Sequence, residues 1–171
     1  MEHTSPSIAI RPFARSDLTE ALEIQALAYP AFLVESETSF ASRLDAAMSY
    51  CLTAHREGKL AGYVLAHGWQ RHAPPEVGVP LPDQGSGETL FIHDLAIAPV
   101  GRGQGIGRKL IACAFDLAKG DGLMSAELVA VEGAANFWRG MGFAELQPTL
   151  EIAAKLAGYG REARWMGRSL G

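Results

Sequence analysis

The stretch Gly101-Arg102-Gly103-Gln104-Gly105-Ile106-Gly107 carries glycine on four alternate positions, directly after an apolar run that ends in proline. Glycine at that density is costly in any regular element, because it loses the most backbone entropy on folding. A strand entering and a helix leaving would aim backbone N–H groups and a helix N-terminus at one place, which makes an anion site. Arg102 and Arg108 add positive charge beside it. A dinucleotide fingerprint, GxGxxG, would need glycine where Ile106 or Arg108 stands, and the nucleotide loop GxxxxGK[ST] fails at Arg108. A cradle for some other phosphate-bearing ligand remains, with an idle turn as the bland alternative. Just upstream, His93 and Asp94 interrupt an apolar run. Histidine, with an ordinary pKa of about 6.5, suits proton acceptance at neutral pH. On a regular strand Asp94 would face away from His93, where it would satisfy nearby backbone N–H groups.

These residues need elements to hold them. "SIAIRPF" reads as a short strand ended by Pro12, and Asp17 and Glu20 are spaced as a capping box opening a helix. "SETSFASRLDAAM" predicts a second helix with Phe40, Leu44 and Met48 on one face. "SYCLTAHREGKLAGYVLAHGW" predicts a hairpin turning at Gly58, followed by a long loop rich in Pro and Gly from Gln70 to Glu88. "TLFIHDLAIAP" is then a strand leading into the glycines, and "RKLIACAFDLAKG" an amphipathic helix leaving them. "LMSAELVAV" predicts a strand, "GAANFWRGMGF" a short helix and turn, and "ARWMGRSL" a last strand. The succession is α+β, with no internal repeat and no linker.

Composition narrows the class. With 171 residues, 48% hydrophobic and 20% charged, residues 1–171 are expected to form one globular domain. A net charge of −4 argues against nucleic acid as the main partner. No run approaches the roughly 20 apolar residues of a membrane span, and the N-terminus lacks the pattern of a signal peptide. Cys51 and Cys113 stand far apart with no metal-ligand spacing, so reduced cysteines, no metal and a cytoplasmic location are expected. His55, His67 and His72 likewise lack metal spacing.

"HDLAIAPVGRGQGIGRKLI" closely resembles the acetyl-CoA-binding segment of the GNAT (GCN5-related) superfamily of N-acetyltransferases. The family pattern, [Q/R]xxGx[G/A] between the fourth strand and the third helix, is met by Arg102, Gly105 and Gly107. "FWRGMGF" resembles the family's later segment, and the order of elements fits along nearly the whole chain. The resemblance implies a mostly antiparallel sheet of about six to seven strands, helices on both faces, and a splay between strands 4 and 5. It implies acetyl transfer from acetyl-CoA to a primary amine by direct attack, with the cofactor held by Arg102, Gly103, Gln104, Gly105, Ile106, Gly107 and Arg108, and with main chain near Leu95, Ala96 and Ile97 serving the oxyanion and the pantetheine arm. At pH 7 only about one alkylamine in 10³ is neutral, a deficit of roughly 4–5 kcal/mol that a base would relieve. His93 and Asp94 are the catalytic candidates, His93 as that base.

One departure stands out. Many relatives carry tyrosine at the position of Trp138 as general acid for the leaving thiolate, and an indole N–H is a donor but not a usable acid. A thiol of pKa about 8.5 leaves tolerably without full protonation, so Trp138 is expected to pack beside the pantetheine. Tyr63 and Tyr159 are other phenols without an assigned place. Acceptor contacts in the family come from the loop between the first two helices and from the region between strands 3 and 4. That points to Tyr29, Phe32 and Glu35, with packing and helix-dipole roles as alternatives. A non-catalytic CoA-sensing module and a transferase of longer acyl groups are the rival readings. The oligomeric state, a homodimer included, is left open, as is the identity of the amine.

Overall fold

The computed structural model describes residues 7–82 and 87–171. Its strands are β1 (Ile8–Pro12), β2 (Leu52–Arg56), β3 (Lys59–Trp69), β4 (Thr89–Ile97), β5 (Ser125–Ala130), β6 (Ala144–Glu145) and β7 (Arg164–Ser169). Its helices are α1 (Leu18–Ala28), α2 (Glu37–Leu44), α3 (Ile106–Gly120), α4 (Ala135–Gly140) and α5 (Leu150–Ala157). The seven strands make one sheet in the order β1-β2-β3-β4-β5-β7-β6. All neighbours are antiparallel except β4 and β5, which run parallel across the α3 crossover. This is the mixed α+β fold expected from the order of elements. The β2–β3 hairpin turns through Glu57 and Gly58, both at positive φ, the geometry that suits the twist of paired strands.

Helices cover both faces. The larger core packs α3, through Ile106, Leu110, Ile111 and Ala114, against Ala54, Val64, Leu90, Ile92, Leu128 and Met166. The apolar residues of α3 recur at three- and four-residue spacing, which gives one buried stripe. On the opposite face, Leu18, Ala21 and Ile24 of α1 and Phe40 of α2 pack on Tyr63, Leu65 and Ala96.

Two irregularities of β4 set up the site. Leu65 of β3 pairs with Asp94, yet the next residue, Ala66, pairs with Ile92, so His93 is an extra residue without a partner. Such a bulge resets the alternation of side chains. His93 and Asp94 therefore both face the α1/α2 side, while Ile92 and Leu95 pack in the α3-side core. The regular-strand expectation that Asp94 points away from His93 is corrected by this one-residue insertion. Secondly, β4 pairs with β5 only from Leu90 to Ile92. Beyond Ile92 the strands part, leaving the main chain of residues 93–97 free of β5.

Three local expectations also change. Asp17 and Glu20 form no capping box: Asp17 accepts from the Ala14 N–H at 3.2 Å and meets His55 at 3.1 Å, and Glu20 accepts from the Leu60 N–H at 3.3 Å. The second helix starts at a Ser36 cap but stops at Leu44, short of Met48. There the Arg43 carbonyl accepts from Ser49 Oγ at 3.2 Å, which turns the chain into β2. Helix α5, capped by Thr149, adds an element to those the sequence pattern predicts. Among the described residues no helix is long and apolar enough to cross a membrane.

Candidate active site

The alternate glycines divide into distinct jobs. Gly101 lies against β3, where a Cβ would come within 2.8 Å of the Ala61 carbonyl oxygen. Gly103 and Gly105 hold positive φ, +76° and +68°, with open space where a side chain would project. Gly105 is the N-cap of α3 and no side chain caps that end. The first-turn N–H groups of α3 are thus left facing outward, as an anion site requires. Arg102, Gly103, Gly105, Ile106, Gly107 and Arg108 line a cleft of about 350 Å³ together with Leu95, Ile97 and Phe137. Gln104 does not line it; its amide donates to the Val100 carbonyl at 3.1 Å.

A second cavity, about 270 Å³, opens where β4 leaves β5. His93, Asp94, Leu95, Ala96, Ile97, Tyr29, Glu35 and Trp138 all line it. Leu95, Ile97 and Phe137 border both spaces, so the two are neighbours along the free edge of β4. Phe32 lines neither: it is 57% exposed and lies against Gly160. Trp138 is buried in the α3-side core, edge-on to Phe137 and Phe143. Tyr159 lines the cavity and donates to the Pro75 carbonyl at 2.6 Å. Tyr63 donates to Asp94 Oδ2 at 2.7 Å, and Tyr29 to the Leu95 carbonyl at 2.8 Å.

Charge is concentrated behind the α1/α2 wall. Arg43 has no exposed surface, and its Nη2 lies 2.9 Å from Glu35 Oε2, 2.8 Å from His93 Nε2 and 3.3 Å from the Val79 carbonyl. Its Nη1 serves the Ser39 carbonyl and Ser42 Oγ. His93 Nε2 is also 2.7 Å from Glu35 Oε1. A guanidinium only donates, so Nε2 would have to accept from Arg43 but donate to Glu35, and it does one or the other. Arg43 Nη2 also donates to the Val79 carbonyl and is ion-paired with Glu35 Oε2, whereas Glu35 Oε1 has only His93. The network is most fully satisfied with Nε2–H donating to Glu35, which leaves Nδ1 as the bare nitrogen. That atom has no partner, and neither has Asp94 Oδ1.

The ionisations follow. Burial alone would raise the Glu35 carboxyl, but the hydrogen bond from His93 and the charges of His93 and Arg43 outweigh it and hold Glu35 below the usual range. Burial raises Asp94, and the nearby phenols of Tyr29 and Tyr63, the latter hydrogen-bonded to Oδ2, work against it. Burial, with the Asp94 charge second, lifts both phenols well above their ordinary value. His67, behind His93, is pushed by burial down to about 3. Arg43 is a residue of the site that no sequence motif marks. Its signal was its place three positions after Phe40, on the helix face that Phe40 buries.

The GNAT acetyltransferase family model matches residues 16–143. The chain belongs to that family. No curated protein sequence matches it. Among solved structures, the ribosomal-protein-S18-alanine N-acetyltransferase from Escherichia coli is 20% identical with a TM-score of 0.71, over 96% of this chain and 95% of that one. Arabidopsis thaliana Naa50, in complex with the bisubstrate analogue CoA-Ac-MVNAL, is 16% identical with a TM-score of 0.69, over 95% and 99%. The PaiA N-acetyltransferase from Thermoplasma acidophilum, in complex with coenzyme A, is 15% identical with a TM-score of 0.67, over 95% and 99%. At these identities the likeness shows the GNAT fold. Among the described residues no cluster of His, Cys, Asp or Glu is placed to hold a metal.

Proposed function

We propose that this GNAT acetyltransferase moves an acetyl group from acetyl-CoA to a primary amine by direct attack. The observation that carries the reading is the pair of adjoining spaces along the free edge of β4, one floored by glycine N–H groups and one walled by His93 and Asp94. The pyrophosphate of coenzyme A fits the uncapped α3 terminus, where Gly103 and Gly105 leave room and Arg102 and Arg108 add charge. Its pantetheine arm runs past Leu95, Ile97 and Phe137 to the gap between β4 and β5. The His93 side chain is only 2% exposed while the residue as a whole is half-buried, so it is main chain that the gap exposes there. Ala96 is turned toward β3 in the antiparallel ladder, and the outward main chain of Leu95 and Ile97 supplies N–H groups for the oxyanion.

His93 acts as the base. Glu35 holds its Nε2–H, fixing the ring and leaving Nδ1 to take the proton that the amine must lose. Arg43, ion-paired to Glu35, keeps that carboxylate charged. Trp138 packs beside the thioester and donates no proton, so the thiolate leaves unaided or through solvent. In a pH–rate profile of thiol release, His93→Ala is expected to lose most activity near pH 7 and progressively less at high pH, where the amine is already neutral. A His93→Ala profile parallel to that of the parent would remove His93 as the base.

A further inference from the structure

The cavity wall also selects the amine. Its far side is apolar, built from Leu33, Val77, Val129, Val131 and Tyr159. Its polar side carries Asp94 and Glu35, with Glu132 exposed at its edge. No lysine or arginine lines it among the described residues. The nearest cation, Arg43, has no exposed surface and is committed to Glu35 and to main-chain carbonyls. Three buried acceptors on residues lining the cavity lack a hydrogen-bond donor: Glu35 Oε2, which Arg43 answers as an ion pair, and Asp94 Oδ1 and His93 Nδ1, which nothing answers. A buried acceptor without a donor is unfavourable until one arrives. The bulge at His93 is what brings these last two acceptors to one side of the strand.

Resting on the acetyltransferase reading above, we propose that the acceptor is a primary monoamine on an apolar, uncharged body, an arylalkylamine, with its nitrogen against Asp94 and His93. The body lies along Leu33, Val77 and Tyr159. An α-amino acid carries a carboxylate two bonds from the nitrogen, which would meet Asp94 and Glu35 with no cation to answer it. A polyamine would bury a second ammonium against the apolar side.

The test compares phenethylamine, phenylalanine, spermidine and a short peptide as acceptors, by thiol release from acetyl-CoA, with acetyl-CoA binding measured separately by calorimetry. Phenethylamine is expected to exceed phenylalanine at least 100-fold in kcat/KM and to exceed spermidine and the peptide. Val77→Arg, which puts a cation on the apolar side, is expected to narrow the phenethylamine-to-phenylalanine ratio at least tenfold. Asp94→Asn is expected to raise the KM for phenethylamine at least tenfold with acetyl-CoA binding unchanged. If acetyl-CoA binds and another class is preferred, or no monoamine turns over, the substrate class is overturned while cofactor binding stands. An unchanged KM in Asp94→Asn overturns the nitrogen's seat. Failure to bind acetyl-CoA overturns the reading beneath it.

Discussion

Arg43 and Glu35 form a buried ion pair in which each charge is tolerable only because of the other. Removing one partner leaves the second uncompensated, at a cost of about 3–5 kcal/mol. Arg43→Ala is therefore expected to lower unfolding stability by about that amount in urea denaturation, far more than truncation of an exposed arginine such as Arg161. His67 adds a pH dependence. An unfolded histidine takes up its proton at about pH 6.5, whereas His67, buried and beside the charges of His93 and Arg43, is pushed down to about 3. Between those values the unfolded chain binds more protons, so stability is fully present above about 6.5 and falls as pH drops, by about 1.4 kcal/mol per unit. His67→Phe is expected to flatten that part of a stability-against-pH curve; an unaltered slope would assign the loss elsewhere. At this scale the places of the glycines and of His93 beside the two cavities were legible, because residue type and spacing single them out. Arg43 was not, because a charged residue in a helix ordinarily reads as solvated, and only the Glu35 and His93 partners that tertiary folding supplies make it a core residue.

The elements that matter most are the loop into α3 and strand β4. Within seven residues the loop holds one glycine packed against β3, Gly101, and one facing open space, Gly105, the latter in the proposed binding role. At Gly105 a Cβ meets nothing within 4 Å, but the left-handed φ costs an L-residue roughly 1–2 kcal/mol, and the side chain would project into the open space of the cradle. Gly105→Val is thus expected to weaken acetyl-CoA binding at least tenfold in calorimetry with a modest loss of melting temperature. Gly101→Val, forced against the Ala61 carbonyl, is expected to lower the melting temperature more than Gly105→Val does. The reverse order would contradict the division of roles. The strand–glycine–helix sequence was readable, since apolar runs and glycines mark it. The bulge at His93 was not, because a one-residue insertion exists only relative to the register of β3. The Asp17–Glu20 spacing misled for a related reason: His55 and the Leu60 N–H, distant in sequence, took those carboxylates instead.

Across the whole molecule the sheet is two units, β1–β4 and β5-β7-β6, joined by three residue pairs at the start of β4. The cleft is a consequence of that limited joining. Its side proposed for the cofactor is built from one continuous stretch, β4 to α3, so the sequence displays those residues together. Its other side gathers Tyr29 at the end of α1, Glu35 before α2, Val77 from the long loop, Val129 from β5 and Tyr159 after α5. No spacing along the chain reports that such distant residues meet, so this wall of the cavity is legible only in three dimensions. The most direct measurement is mass spectrometry of the products after incubation with acetyl-CoA and phenethylamine, with free thiol titrated in parallel. An N-acetylated amine formed in equal amount with CoA thiol is the predicted result. Thiol release independent of the amine, or acetyl-CoA left intact with every amine tried, would contradict it.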